Sequence, residues 1–319
     1  MRVLAFGEVM MRLMPNDYKM MDQTDSLEYL YTGTGVNILG GLSRLGVSTS
    51  MFTCLPDNRI GKSANAHLRK LGLDTSFVRF DSNHMGMYFL EKGMGARSSY
   101  VTYMNRSESS FAKHDYQNID YDALLDSVSC IHICGISLIQ DHTYRVALNL
   151  MIEARKREVL VFFDCNYRPS LWDNPDDSLE RYLEILSYCD YVFATSRDAS
   201  RFMDGEGDEL MNSFKERFNF KGIFGTKRST EDTIQGFAYL NSKYESSVYD
   251  VVVYDRIGTG DGFALGVIYA LLNDYTPNDL IEFSTASGVL AHTTYGDTPC
   301  VDLMDIENLV NGIYIDLVR

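Results

Sequence analysis

Proline is scarce in this 319-residue chain, with 6 residues, and tryptophan scarcer, with one. No stretch is rich in Pro, Gly or Ser, and no segment repeats, so linker arrays, collagen-like chains and solenoids are excluded. Basic residues are outnumbered: 29 Lys and Arg stand against 44 Asp and Glu, a net charge of −15. Bulk attraction to nucleic acid or to an anionic membrane is therefore excluded, and any anionic substrate needs a local cluster of positive groups. Long apolar runs are missing too. The longest such window, Val251 to Leu272, carries Asp255, Arg256 and Asp261, so it reads as no membrane span. The opening run, Met1 to Glu8, holds an acid and reads as no secretion signal.

Cysteine numbers six, scattered through apolar stretches. Cys130 and Cys134 alternate with Ile131 and Ile133, the pattern of a buried strand rather than of a metal-binding turn. Free, reduced thiols of this kind point to a cytoplasmic protein.

What is present is an ordinary globular composition, 45% hydrophobic and 23% charged. Residues 2–6 read as a buried strand. Val36 to Leu45 and Gly61 to Leu71 carry apolar residues at helical spacing and stop at Gly46 and Gly72. Between about 76 and 104 two short strand-like runs flank Lys92-Gly93-Met94-Gly95, which predicts a β-hairpin outside the main sheet. After about 120, strands and helices alternate, with helices expected at 143–157, 177–188, 208–218, 260–273 and 278–293. Strands are expected between them, the last at 236–240 and 248–254. Such alternation predicts a mostly parallel sheet with helices on both faces.

Two Gly-rich stretches are decoys. Gly61-Lys62-Ser63 resembles the end of a P-loop, but Pro56 stands where its first Gly belongs. Gly33-Thr34-Gly35 begins like a dinucleotide fingerprint, but Ile38 occupies the third Gly position. The third stretch is different. The apolar run Val251 to Asp255 leads into Arg256-Ile257-Gly258-Thr259-Gly260-Asp261-Gly262-Phe263 and then into the helical pattern Ala264 to Leu272. A Gly turn at a helix start gathers free backbone N–H groups and the positive helix end, which makes an anion site. Asp261 sits inside it. A helix cap would account for Asp261 alone. Phosphoryl transfer accounts for the glycines as well: Gly258, Thr259 and Gly260 would offer N–H groups, and Asp261 would accept a hydroxyl proton.

At this motif the chain resembles the ribokinase-like (PfkB) carbohydrate kinases, and the match extends over most of its length. Gly33-Thr34-Gly35-Val36-Asn37 is similar to their N-terminal glycine motif, and Asp57 to Gly61 to their Gly-x-Asp-x-x-Gly. Asp164-Cys165-Asn166-Tyr167-Arg168-Pro169-Ser170-Leu171-Trp172 resembles a stretch of the 2-keto-3-deoxygluconate kinases. The resemblance implies a ribokinase-like α/β core over residues 1–9, 33–75 and 112–319. A small β lid over 10–32 and 76–111 would cover the sugar site. It implies ATP and Mg²⁺, with a monovalent cation such as K⁺ left open, and a homodimer or higher homo-oligomer left open with it.

By the same resemblance, Arg106 and Arg168 would hold a sugar-acid carboxylate, with Tyr88 or Tyr103 beside them, and Gly33 and Asn37 would contact sugar hydroxyls. Thr226, Lys227, Arg228 and Ser287 would lie by the nucleotide together with Gly258 and Gly260. Asp164, Asn166 and Asp198 would lie near Mg²⁺ or its waters. The family's Asn-x-x-Glu falls here at Thr195 to Asp198, a departure that bears on metal handling. The expected activity is phosphorylation of 2-keto-3-deoxygluconate. A kinase for a neutral ketose or a nucleoside, and a sugar-acid sensor with weak turnover, are the alternatives.

Overall fold

The computed structural model describes residues 1–172, 174–230 and 232–313. Two sheets organise it. The large one has ten strands. Its centre is built from Arg2–Phe6, Ser48–Pro56, Val128–Cys134 and Leu160–Asp164, whose residues are almost all buried. Continuous apolar strands belong where both faces are covered, which is the setting of a parallel sheet. From Gly222–Lys227 through Tyr191–Phe193, Leu160–Asp164, Val128–Cys134, Arg2–Phe6 and Ser48–Pro56 to Val78–Asp81, every neighbouring pair runs parallel. At the other edge Thr233–Tyr239 and Lys243–Glu245 turn back antiparallel.

Helices cover both faces. One layer packs Leu150, Met151, Tyr182, Ile185 and Phe214 against Ile131, Phe163 and Val192. The other packs Ile38, Leu39, Leu265, Ile268 and Ile281 against Val3, Ala5 and Phe162. Thr259–Leu272 and Pro277–Ala291 are buried nearly all round, and small residues let them touch: a Cβ on Gly266 would stand 2.7 Å from Ser284 Cα.

The small sheet orders Leu27–Thr32, Met10–Pro15, Gly86–Glu91 and Tyr100–Met104. The expected hairpin is its Gly86–Glu91 and Tyr100–Met104 pair, which runs antiparallel. In Met10–Pro15 the inward positions are Arg12 and Met14, both fully buried.

One expected strand is corrected. The pairing of the expected 248–254 strand with Thr233–Tyr239 ends at Tyr249–Asp250, because that partner begins at Thr233. Residues 251–255 leave the sheet instead, with Val252 82% exposed and the amides of Tyr254 and Asp255 donating to the His292 carbonyl. The false P-loop is also explained. Asn58 caps the Arg59–Lys70 helix by accepting from the amides of Ile60 and Gly61, so Gly61-Lys62-Ser63 lie in its first turn.

Candidate active site

The carboxyl ends of the parallel strands open into a cleft of about 1110 Å³ under the small sheet. Ligands of open α/β sheets bind at this end. At its floor the chain turns at Gly258, whose φ of +82° is left-handed and whose Cβ, if present, would lie 1.8 Å from the Asp297 carbonyl. No L side chain fits there. The Thr259–Leu272 helix starts on this turn, and its first closing bond is from the Gly262 amide to the Gly258 carbonyl at 2.9 Å. The amides of Thr259, Gly260 and Asp261 therefore point out of the helix start toward the cleft.

Asp261 stands at this point. Burial is the main cause that pushes its carboxyl up, to about 8, and nearby Asp164 and Asp297 add to it. Asn37 opposes the rise: its Nδ2 donates to Asp261 Oδ2 at 2.6 Å. Asn37 is itself fixed, because the Thr298 hydroxyl donates to its carbonyl oxygen at 3.1 Å and the Thr32 hydroxyl lies against the same oxygen at 3.2 Å. A carboxyl near neutrality, held by one oriented donor, is poised to take a proton.

Asp164, at the end of its strand, is pushed up to about 7, first by burial and then by the charge of Asp198. Two carboxyl groups close enough for the charge of Asp198 to raise Asp164 fit a divalent cation, and with Asn166 they could supply the oxygen ligands that Mg²⁺ takes. Asp198 carries a second duty: its Oδ2 accepts from the Thr195 amide and hydroxyl, both at 2.8 Å, and so caps the Ser196–Ala199 turn.

Positive charge converges locally in this acidic chain. Arg106, Arg168, Arg197, Arg201 and Arg256 all line the cleft. Arg168 is exposed to it. Arg106 is largely enclosed, and its Nε donates to Glu8 Oε2 at 2.8 Å. Glu8 Oε1 and Arg106 Nη1 are buried with no hydrogen bond, so both are available to a ligand. The same pair also borders a second cavity of about 300 Å³.

Of the residues singled out from sequence, Gly33, Asn37, Tyr88, Tyr103, Arg106, Asp164, Asn166, Arg168, Asp198, Thr226, Gly258, Thr259, Gly260 and Asp261 all line this cleft. Three do not. Lys227 faces away from Thr226, as alternation along a strand requires, and pairs with Glu245 at 2.5 Å. Arg228 lies 2.8 Å from His292 Nε2. Ser287 is fully buried and donates to the Gly262 carbonyl at 2.7 Å, so its helix is packed against another helix where a nucleotide contact was expected. Tyr88 reaches the cleft with its ring, but its hydroxyl is buried and donates to Asp297. Tyr103 is more open, with the Arg106 guanidinium 4.9 Å from its ring centre.

The sequence reading missed what supports the site. Arg12, from the small sheet, is fully buried and joins two acids: Asp255, at 2.7 Å, and Asp297. Both acids are buried as well. Asp297 in turn accepts from Thr32 at 2.6 Å, and Thr32 leads to Asn37 and Asp261. The one available signal was the alternation of Met10–Pro15, which puts an arginine on the apolar face.

The profile of the pfkB family carbohydrate kinases matches residues 1–304. A 2-dehydro-3-deoxygalactonokinase from Haloferax volcanii is 26% identical over 316 residues, covering 97% of this chain and 96% of that one. A 5-dehydro-2-deoxygluconokinase from Geobacillus kaustophilus is 23% identical over 94% of this chain and 90% of that one. Among solved structures, 2-dehydro-3-deoxygluconokinase from Thermotoga maritima superposes with a TM-score of 0.93 at 30% identity, with 98% of each chain covered.

Proposed function

We propose that this chain, which belongs to the pfkB family of carbohydrate kinases, transfers the γ-phosphoryl of ATP to the terminal hydroxyl of a sugar acid, with 2-keto-3-deoxygluconate as the favoured acceptor and its 6-phosphate as product. One observation carries the reading. Asp261, at an amide-rich helix start, shares a cleft with Arg106 and Arg168 in a chain of net charge −15.

The roles follow from position. Asp261 accepts the proton of the attacking hydroxyl. The amides of Thr259 and Gly260, with the helix end behind them, neutralise charge on the moving phosphoryl group. Arg168 and the unpartnered Nη1 of Arg106 bind the acceptor's carboxylate, while Glu8 Oε1 accepts from a sugar hydroxyl. Glycine at 33 is required by the backbone of the cleft itself, since its φ of +152° and a Cβ 2.2 Å from the Glu8 carbonyl exclude any side chain. Mg²⁺ would be held by Asp164 and Asp198 and would supply charge neutralisation on the nucleotide phosphates. The small sheet covers the cleft and excludes water.

The test is ADP release with MgATP and a panel of 2-keto-3-deoxygluconate, 2-keto-3-deoxygalactonate, 5-keto-2-deoxygluconate, fructose, ribose and adenosine. Turnover on 2-keto-3-deoxygluconate above all others is expected. In Arg168→Ala, loss of a charge-assisted contact of roughly 1.5–3 kcal/mol raises KM for the acid about 10- to 150-fold, with a smaller change for a neutral sugar. Turnover confined to neutral sugars overturns the acid assignment. Acid binding without turnover favours the sensor reading, which the engagement of Asp198 with Thr195 would then explain.

A further inference from the structure

Three side chains of unlike chemistry meet at one point outside the cleft. A ligand atom from each of Cys54, Asp81 and His114 lies within 4.8 Å of the other two. No other set of three or more His, Cys, Asp or Glu groups does so among the described residues. The three come from separate places: the core strand Ser48–Pro56, the end of Val78–Asp81, and the residue that closes the Ser110–Lys113 turn. Cys54 is buried, and the Asp81 and His114 side chains retain 17% and 18% exposure, so an ion could enter from solvent.

The three side chains already converge: His114 Nδ1 stands 3.3 Å from Asp81 Oδ2, and the Asp81 carboxyl faces the Ser110 hydroxyl and the Cys54 thiol, while His114 Nε2 is buried without a hydrogen bond. Buried polar groups in folded chains normally find partners. The distances suit a cation. Zinc bonds of about 2.0–2.3 Å in a tetrahedron place neighbouring ligand atoms about 3.3–3.7 Å apart. The Asp81–His114 pair is already at that spacing, and the thiol must move by about an ångström or less.

We propose that Cys54, Asp81 and His114 form a Zn²⁺ site, completed by a water molecule. The set mixes sulfur, imidazole and carboxylate, which suits Zn²⁺ and not Mg²⁺. On binding, the thiol releases its proton to solvent and coordinates as thiolate. Thiolate and carboxylate together balance the ion's charge. The neighbouring Arg79 guanidinium, stacked 5.7 Å from the Phe52 ring centre and donating to the Gln117 carbonyl, therefore does not oppose it. The placement gives the ion a mechanical role. Asp81 immediately precedes the connector into Gly86–Glu91, and His114 follows the connector out of Tyr100–Met104. Zinc would fasten both ends of this hairpin to a central strand.

Metal-stripped full-length protein is titrated with Zn²⁺ by calorimetry and with Co²⁺ by near-ultraviolet absorption. One tight Zn²⁺ event per chain is expected, together with a cobalt–thiolate charge-transfer band, which ligation by cleft carboxylates cannot produce. Both should be lost in Cys54→Ala and in His114→Gln, and kept in Cys300→Ser, which removes the exposed thiol. His114→Gln alters a partly exposed side chain, so the test survives if the core substitution at Cys54 fails to fold. Zinc should also slow proteolysis at residues 82–85 and 105–109 in the wild type and not in His114→Gln. Absence of the thiolate band in the wild type, or its persistence in both ligand variants, overturns the site.

Discussion

Replacing Asn37 by alanine separates tuning of the base from contact with the sugar. The Asn37 Nδ2 bond to Asp261 Oδ2, at 2.6 Å, is the one hydrogen bond that favours the ionised carboxyl, whose value is already pushed up to about 8 by burial. A hydrogen bond to a charged group contributes about 1.5–3 kcal/mol, and 1.36 kcal/mol moves a pKa by one, so Asn37→Ala should carry Asp261 up by about 1–2. At pH 7 a group titrating near 8 is roughly 9% ionised; after the shift, roughly 0.1–1% is. Since kcat/KM follows the ionisations of the free enzyme, it should fall about 10- to 100-fold at pH 7. The loss should shrink steadily toward pH 9–10 as the carboxyl ionises. The assay is coupled ADP release from pH 6 to 10 at subsaturating sugar acid. An equal loss at every pH would refute the tuning role and leave Asn37 as a sugar contact.

Arg12→Leu should cost about 3–5 kcal/mol in urea unfolding, because Asp297 would remain buried without a cation and Asp255 with only Lys92, 3.7 Å away; a loss under about 1 kcal/mol would show that the acids are satisfied otherwise. Asp261→Asn should abolish most turnover while leaving sugar binding nearly intact, and a collapse of binding would make Asp261 structural. The same variant tests the sign of the burial effect. A carboxyl whose folded value lies above its unfolded one stabilises the fold at pH below about 4 and loses that contribution as pH rises through about 8. Ligand-free Asp261→Asn should therefore melt above the wild type at pH 9 by about 2 °C or more and match it most closely near pH 4, whereas an equal offset at both pH values would contradict the assignment.

The sequence was most readable where one segment suffices. A strand run such as Val161–Phe163 is apolar on both faces, and Gly46 and Gly72 stop helices with positive φ. The Gly258 to Asp261 turn was legible for the same reason: its chemistry lies within four neighbouring residues. The run at 251–255 misled because valines in succession suit a strand, while its pairing depends on where a distant partner begins. The Arg12–Asp255–Asp297 group was illegible because its members lie 243 and 285 positions from Arg12. Ser287 misled in a related way. Small residues in a helix permit close approach, and sequence does not say whether a ligand or a second helix makes it.

The arginine that rises from the small sheet into two acids of the core has a consequence for protein engineering. Specificity in such a kinase invites modular exchange, in which the four covering strands of one relative are grafted onto the body of another. Here the two parts share a charge balance. A graft without an arginine at position 12 strands Asp297 and leaves Asp255 to whatever cation stands at position 92, and a body without both acids strands the incoming guanidinium. The unit that can be exchanged is therefore the strand set together with positions 255 and 297, far apart in the gene and inseparable in the molecule.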